Sequence, residues 1–101
     1  YQRDAQGWMQ AVQAEVVVSP AVVPLPSGRE WIGAGPGWSI YTEPLQQRLA
    51  GSLRYWIPGV APQARHVAAL GMAALQRGPG LSAEQAVPLY VRDDVATKAT
   101  K

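Results

Sequence analysis

The sequence contains no cysteine and no phenylalanine, a single histidine, and only 16% charged residues among its 101. Without cysteine there is neither a disulfide framework nor a thiolate metal site, and one histidine does not make a zinc site without several carboxylate partners. The reducing cytosol is then the default compartment. No apolar run approaches the roughly 18 residues of a transmembrane helix, and no charged-then-apolar signal peptide opens the chain. A soluble, cytoplasmic protein with no membrane contact is expected. The missing phenylalanine shifts aromatic bulk onto Trp8, Trp31, Trp38 and Trp56, with Tyr41, Tyr55 and Tyr90. Core packing is their expected role, and an exposed subset would mark an interface, because these residue types are enriched in binding hot spots.

What is present fits one globular domain. Hydrophobic residues make up 48% and the net charge is +2, and a chain of this size can bury one modest core, roughly two-thirds of the surface its unfolded form exposes. The basic excess is nine against seven acidic residues. Arg29, Arg48, Arg54, Arg65, Arg77 and Arg92 are scattered singly, whereas a nucleic-acid footprint needs them clustered on one face.

The opening "YQRDAQGW" reads as a strand end and a polar turn, residues 3–7, into a second strand. A hairpin that starts so late suggests a piece of a longer protein, cut near a strand. Residues 8–18, "WMQAVQAEVVV", mix β-branched and polar residues as a strand with one wetter face does. Ser19 and Pro20 predict a short helical turn, since serine caps an orphan amide and proline has none to leave unpaired. Residues 30–34 are short and apolar and fit a buried strand. Tyr41, Leu45 and Leu49 recur at helical spacing, with Thr42 a candidate cap, Pro44 in the first turn and Gly51 a stop. "LRYWIPG" adds a brief extended segment.

The clearest helical pattern is "APQARHVAALGMAALQRG". Ala64, Val67, Ala68, Gly71, Ala74 and Leu75 share one face at a 3.6-residue period, Pro62 suits the first turn, and Gly78 with Pro79 ends the run. That small-residue face would let the helix sit close to a sheet or another helix. Ser82 and Gln85 have capping-box spacing, and "VPLYVRDD" predicts a closing strand or extended tail. The fold class that follows is mixed α/β, a sheet flanked by helices.

The sequence offers few reactive constellations. The loop Gly33-Ala34-Gly35-Pro36-Gly37 departs from the dinucleotide fingerprint, which needs G-x-G-x-x-G opening into a helix so that free amides meet the pyrophosphate. Its third glycine comes one residue early, Pro36 removes an amide, and no Walker-type lysine follows. A tight strand-to-helix turn is the favoured reading, and contact with a nucleotide stays open. His66 falls on the polar arc of its helix with Arg65, Gln76 and Arg77, which predicts a solvated side chain. Ser19, Ser27, Ser39, Ser52 and Ser82 form no nucleophile elbow. Asp93 and Asp94 are adjacent on an extended segment, so their carboxylates point to opposite faces, which weakens shared magnesium binding. No catalytic, cofactor-binding or metal residue is assigned.

Taken in order, "YQRDAQGW", "WIGAGPGW" followed by Tyr41, "PQARHVAALGMAAL" and "AEQAVPLYVRDDVA" resemble the C-terminal half of the TsaB family, also called YeaZ. The match covers nearly the whole chain, and its most specific part is the closing run from Pro88 through Arg92, Asp93 and Asp94 to Ala96. The family commonly continues with tryptophan and lysines, where this chain has Thr97 and Lys98. The resemblance implies the C-terminal lobe of an actin-like, ribonuclease H-type ATPase fold, spanning residues 1–101, without the N-terminal lobe that carries the family's main dimer contacts. It also implies a non-catalytic partner, not an enzyme and without a cofactor. Such proteins bind the paralogue TsaD and, with the ATPase TsaE, support threonylcarbamoyl transfer to the adenosine next to the anticodon of tRNA, which they meet indirectly. A homodimer, a glycoprotease-like peptidase and a nucleotide- or RNA-binding module are the other readings. The peptidase lacks H-E-x-x-H and a ligand set.

Overall fold

The computed structural model of the chain describes residues 1–91. It contains two units, residues 1–17 with the segment from Pro88, and Val18–Val87. The fold class is mixed α/β, with helices and two separate two-stranded sheets.

In the first unit, β1 (Gln2–Arg3) pairs antiparallel with β2 (Met9–Gln10). The turn between them is organised by Asp4. Its carboxylate accepts the amides of Gln6 at 3.0 Å and Trp8 at 2.8 Å and the Gln10 side-chain amide at 2.8 Å. The backbone amide of Asp4 donates to the Trp8 carbonyl at 2.7 Å. Such side-chain-to-backbone bonds are why aspartate initiates turns. The strand expected over residues 8–18 shrinks to Met9–Gln10, and the rest of that stretch is irregular. Val12, Val16, Val17 and Val18 are all exposed. β-branched propensity does not hold a strand that has no neighbour to pair with.

The second unit is built around β3 (Trp31–Ala34) and β4 (Leu53–Ile57), paired parallel. Parallel strands need a crossover. It is supplied by α1 (Gly37–Ile40) and α2 (Thr42–Leu49). The register matches Gly33 with Trp56 and Ala34 with Ile57, and slips near the start so that Arg54 is the extra residue between the partners of Trp31 and Ile32. There the Arg54 guanidinium reaches Glu30 at 3.2 Å, with both side chains exposed.

Helix α1 stops at Ile40 for a covalent reason. Pro44 has no N–H for the Ile40 carbonyl four residues back, and its ring crowds that carbonyl. Tyr41 leaves the helical region there and α2 begins at Thr42. Thr42 is therefore the first helical residue and not the cap. Its hydroxyl donates backward to the carbonyl of Trp38.

A single 3-10 turn, Pro20–Val22, follows Ser19 as expected, but Ser19 makes no side-chain cap bond, and the turn closes through its carbonyl to Val22 at 3.0 Å. The turn packs on α2. The loop after it is held by Arg48 Nε donating to the Val23 carbonyl at 2.9 Å and the Trp31 indole donating to the Ser27 carbonyl at 2.6 Å. The core is small. Trp38 and Leu49 are buried, Trp38 lies against Gly33 of β3, and the rings of Trp38 and Trp56 stack at 5.7 Å and 19°. The strand over residues 30–34 forms nearly as expected, yet only Gly33 of it is buried, and Ile32, Tyr55 and Ile57 stay exposed.

Helix α3 (Ala64–Arg77) matches the periodicity, with Gln63 flanking its start and Pro62 outside it. The expectation that Ala64, Val67, Ala68, Gly71, Ala74 and Leu75 form the packed face is overturned. The one buried residue of α3 is Ala73. At 3.6 residues per turn it lies about 160° around the helix from both Gly71 and Leu75. A second 3-10 turn, Ala83–Gln85, carries the predicted capping contact, with the Ser82 amide donating to Gln85 Oε1 at 3.1 Å. Residues 88–91 form no strand, and the remainder of the predicted closing strand, with Arg92, Asp93 and Asp94, lies outside the described residues.

Candidate functional site

The glycine turn sits where β3 hands over to α1, and its hydrogen bonds decide what it can hold. The Gly35 amide donates to the Ile57 carbonyl at 3.0 Å, extending the β3–β4 ladder. The Gly35 carbonyl accepts the Trp38 amide at 3.2 Å, and the Pro36 carbonyl accepts the Ser39 amide at 3.0 Å. Gly35 has φ +114°, a conformation that side-chain-bearing residues rarely adopt. Gly33 lies against the indole of Trp38 so closely that a Cβ there would overlap the ring. Two of the three glycines thus have local structural duties. Gly37, by contrast, has open space around its Cα. A phosphate cradle needs several convergent free amides. Here the Gly35 amide is engaged and Pro36 has none.

Beside the turn lies an open groove of about 490 Å³, lined by residues 34–36, residues 60–63, and His66, Val67 and Leu70 of the first half of α3. Its walls are almost entirely apolar, and Gln63 and His66 supply the side-chain polar groups. His66 is exposed, as expected of a solvated histidine, but it faces this groove, not an all-polar arc. Periodicity could not find the groove, because the turn at residues 34–36 meets residues 60–70, a stretch far from it in sequence, and neither the turn nor residues 60–63 has a repeating pattern. A smaller cavity of about 220 Å³ lies against Gln46, Ala50, Leu53, Arg54 and Trp56.

The remaining candidates do not converge. Ser52 donates from its hydroxyl to the Pro26 carbonyl at 3.4 Å, Ser27 contributes a carbonyl to the Trp31 indole, and Ser82 opens its 3-10 turn. Among the described residues no three histidine, aspartate or glutamate side chains gather as a metal site. The aromatic side chains divide, with Trp38 buried, Trp8, Trp31 and Trp56 half-buried, and Tyr41, Tyr55 and Tyr90 exposed. The arrangement can offer apolar surface with a weakly polar rim. It holds no nucleophile with a base beside it among the described residues.

No protein-family model matches the chain, and no curated protein or solved structure matches it.

Proposed function

We propose that the chain is the C-terminal lobe of a TsaB-like protein with the actin-like, ribonuclease H-type architecture, acting as a non-catalytic scaffold in threonylcarbamoylation of the adenosine next to the tRNA anticodon. The reading rests on the resemblance carried by "WIGAGPGW", "PQARHVAALGMAAL" and "PLYVRDDVA". One structural observation supports it: Gly33 lies against the Trp38 indole and the Gly35 amide is engaged by the Ile57 carbonyl, so the turn is held by packing and backbone bonds, as suits a lobe that shapes a partner rather than one that runs chemistry. A parallel strand pair with helices in its crossover is also the kind of piece such a lobe would contain. TsaD-like and TsaE-like proteins are then its partners, tRNA is met through them, and the site of action is the cytoplasm. Among the described residues no helix is long and apolar enough to cross a membrane.

The test is reconstitution. Threonylcarbamoyl transfer to tRNA is measured with TsaD-like and TsaE-like proteins, with and without the intact protein that carries this chain. Dependence of the product on that protein, and its co-purification with the TsaD-like paralogue, support the proposal. Full transfer without it refutes the proposal.

A second reading, nucleotide binding, is favoured by the groove that adjoins the glycine turn. Saturable ATP binding, abolished by Val67→Glu in the groove wall with the helix content unchanged, would establish it. Gly35→Val is a poor probe, because its φ strains any side chain whether or not a ligand binds.

A further inference from the structure

Between the first 3-10 turn and the bend at Ser27 the chain runs through Val23, Pro24, Leu25 and Pro26. Each proline fixes its own φ near about −65° and pushes the residue before it into the extended region, so covalent structure directs all four residues to one turn of polyproline II. Val23 is found in that region, at φ −52° and ψ 132°.

The turn is gripped from one side only. Three residues per turn place Val23 and Pro26 on the same side, and these two are half-buried while Pro24 and Leu25 are exposed. Arg48 donates from Nε to the Val23 carbonyl at 2.9 Å, the Ser52 hydroxyl to the Pro26 carbonyl at 3.4 Å, and the Trp31 indole to the Ser27 carbonyl at 2.6 Å. The Pro24 and Leu25 carbonyls accept no hydrogen bond among the described residues. Leu25 is 54% exposed, and Val22 just before the segment is 61% exposed.

The chemistry of this ridge selects what fits it. Pro24 and Pro26 have no amide to give, so the segment cannot join the ladder of a partner's sheet. Residues 19–26 carry no charge and no aromatic ring, which leaves nothing to meet a phosphate or stack on a base. A groove lined by tryptophan and tyrosine matches on both counts, because ring faces cover proline and leucine while the indole N–H and phenol O–H reach unengaged carbonyls. A second copy does not offer such a groove. The larger groove of this chain has no aromatic ring in its walls, and the smaller has Trp56 alone.

We propose that residues 22–26 form a preformed recognition ridge for a partner domain with an aromatic-lined groove, which takes the Pro24 ring and the Leu25 side chain and donates to their two carbonyls. Because Arg48, Ser52 and Trp31 already hold the segment, docking has little chain freedom left to remove. The ridge stands on its own geometry and does not depend on the tRNA-modification reading.

The test titrates the chain, by isothermal calorimetry, with two modules whose grooves are lined by aromatic rings, a WW domain and an SH3 domain. At least one should bind, and poly-L-proline should displace the chain from it. Leu25→Asp, a change at an exposed position, should weaken binding by about tenfold or more while circular dichroism stays the same. A free peptide of residues 19–29 should bind the same domain about threefold or more weakly than the chain, since it has to be ordered on docking. Binding of neither domain, binding that Leu25→Asp leaves unchanged, or a peptide as tight as the chain overturns the proposal. So does a dimer of the chain alone that Leu25→Asp dissociates.

Discussion

Gly33 lies beneath the indole of Trp38, with room for a hydrogen and none for a methyl group. Strand β3 and helix α1 approach each other over that contact, so the short α1 depends on it. Gly33→Ala should destabilise the chain by about 1–3 kcal/mol, the range for overpacking a well-fitted site. Trp38→Leu in the same chain should relieve part of the clash, and the double variant should then cost less than the sum of the two singles. Urea unfolding followed by tryptophan fluorescence measures both.

Truncating Trp38 should cost more than truncating Trp56. Trp38 is buried and Trp56 half-buried, and the two stack on each other. A buried tryptophan cut to alanine loses about 3–5 kcal/mol. In a core this small the expected outcome for Trp38→Ala is loss of the cooperative unfolding transition, with Trp56→Ala still folding at a lower urea midpoint.

Gly35 and Gly37, two residues apart, should respond in opposite directions to alanine. Gly35 sits at φ +114°, where a side chain is strained, and Gly37 opens α1 with nothing near its Cα. Gly35→Ala should destabilise by about 1–3 kcal/mol. Gly37→Ala should stabilise by about 0.4–1 kcal/mol, because it restricts the unfolded chain without straining the folded one.

Asp4→Ala should release the β1–β2 turn. It removes the acceptor for two backbone amides and the Gln10 side chain. Hydrogen exchange at Gln6 and Trp8 should accelerate, while the Gly35 amide, bonded within the β3–β4 ladder, should keep its rate. An unchanged rate at Trp8 would show that the turn closes without the carboxylate.

The parts legible in the sequence were those fixed by local chemistry. Pro20 and Pro44 mark helix limits through covalent constraints that act within a few residues, Gly51 and Gly78 follow the ends of α2 and α3 without a left-handed cap, and α3 appears where its period places it. What escaped was whatever depends on a neighbour. The valines at 12 and 16–18 read as strand, but a strand needs a partner that the residue pattern does not name. The stripe through Ala68, Gly71 and Leu75 is a real stripe. Periodicity identifies which residues share a face and does not say which face meets the fold, so the buried position, Ala73, fell outside it. The same limit applied to the site. The glycine turn was found as a turn from Pro36 and the early third glycine, whereas the groove beside it arises from long-range proximity. The aspartates of the closing run lie outside the described residues, so that stretch stands on sequence alone.

One consequence of the two-stranded parallel pair concerns behaviour at high concentration. β3 and β4 have no third strand beside them among the described residues, so each presents an outer row of amides and carbonyls that another chain can extend, next to exposed Ile32, Tyr55 and Ile57. Unshielded edges of this kind template fibril growth. The chain kept by itself should therefore be prone to ordered aggregation through these strands, and a lysine placed at Ile57 should slow it.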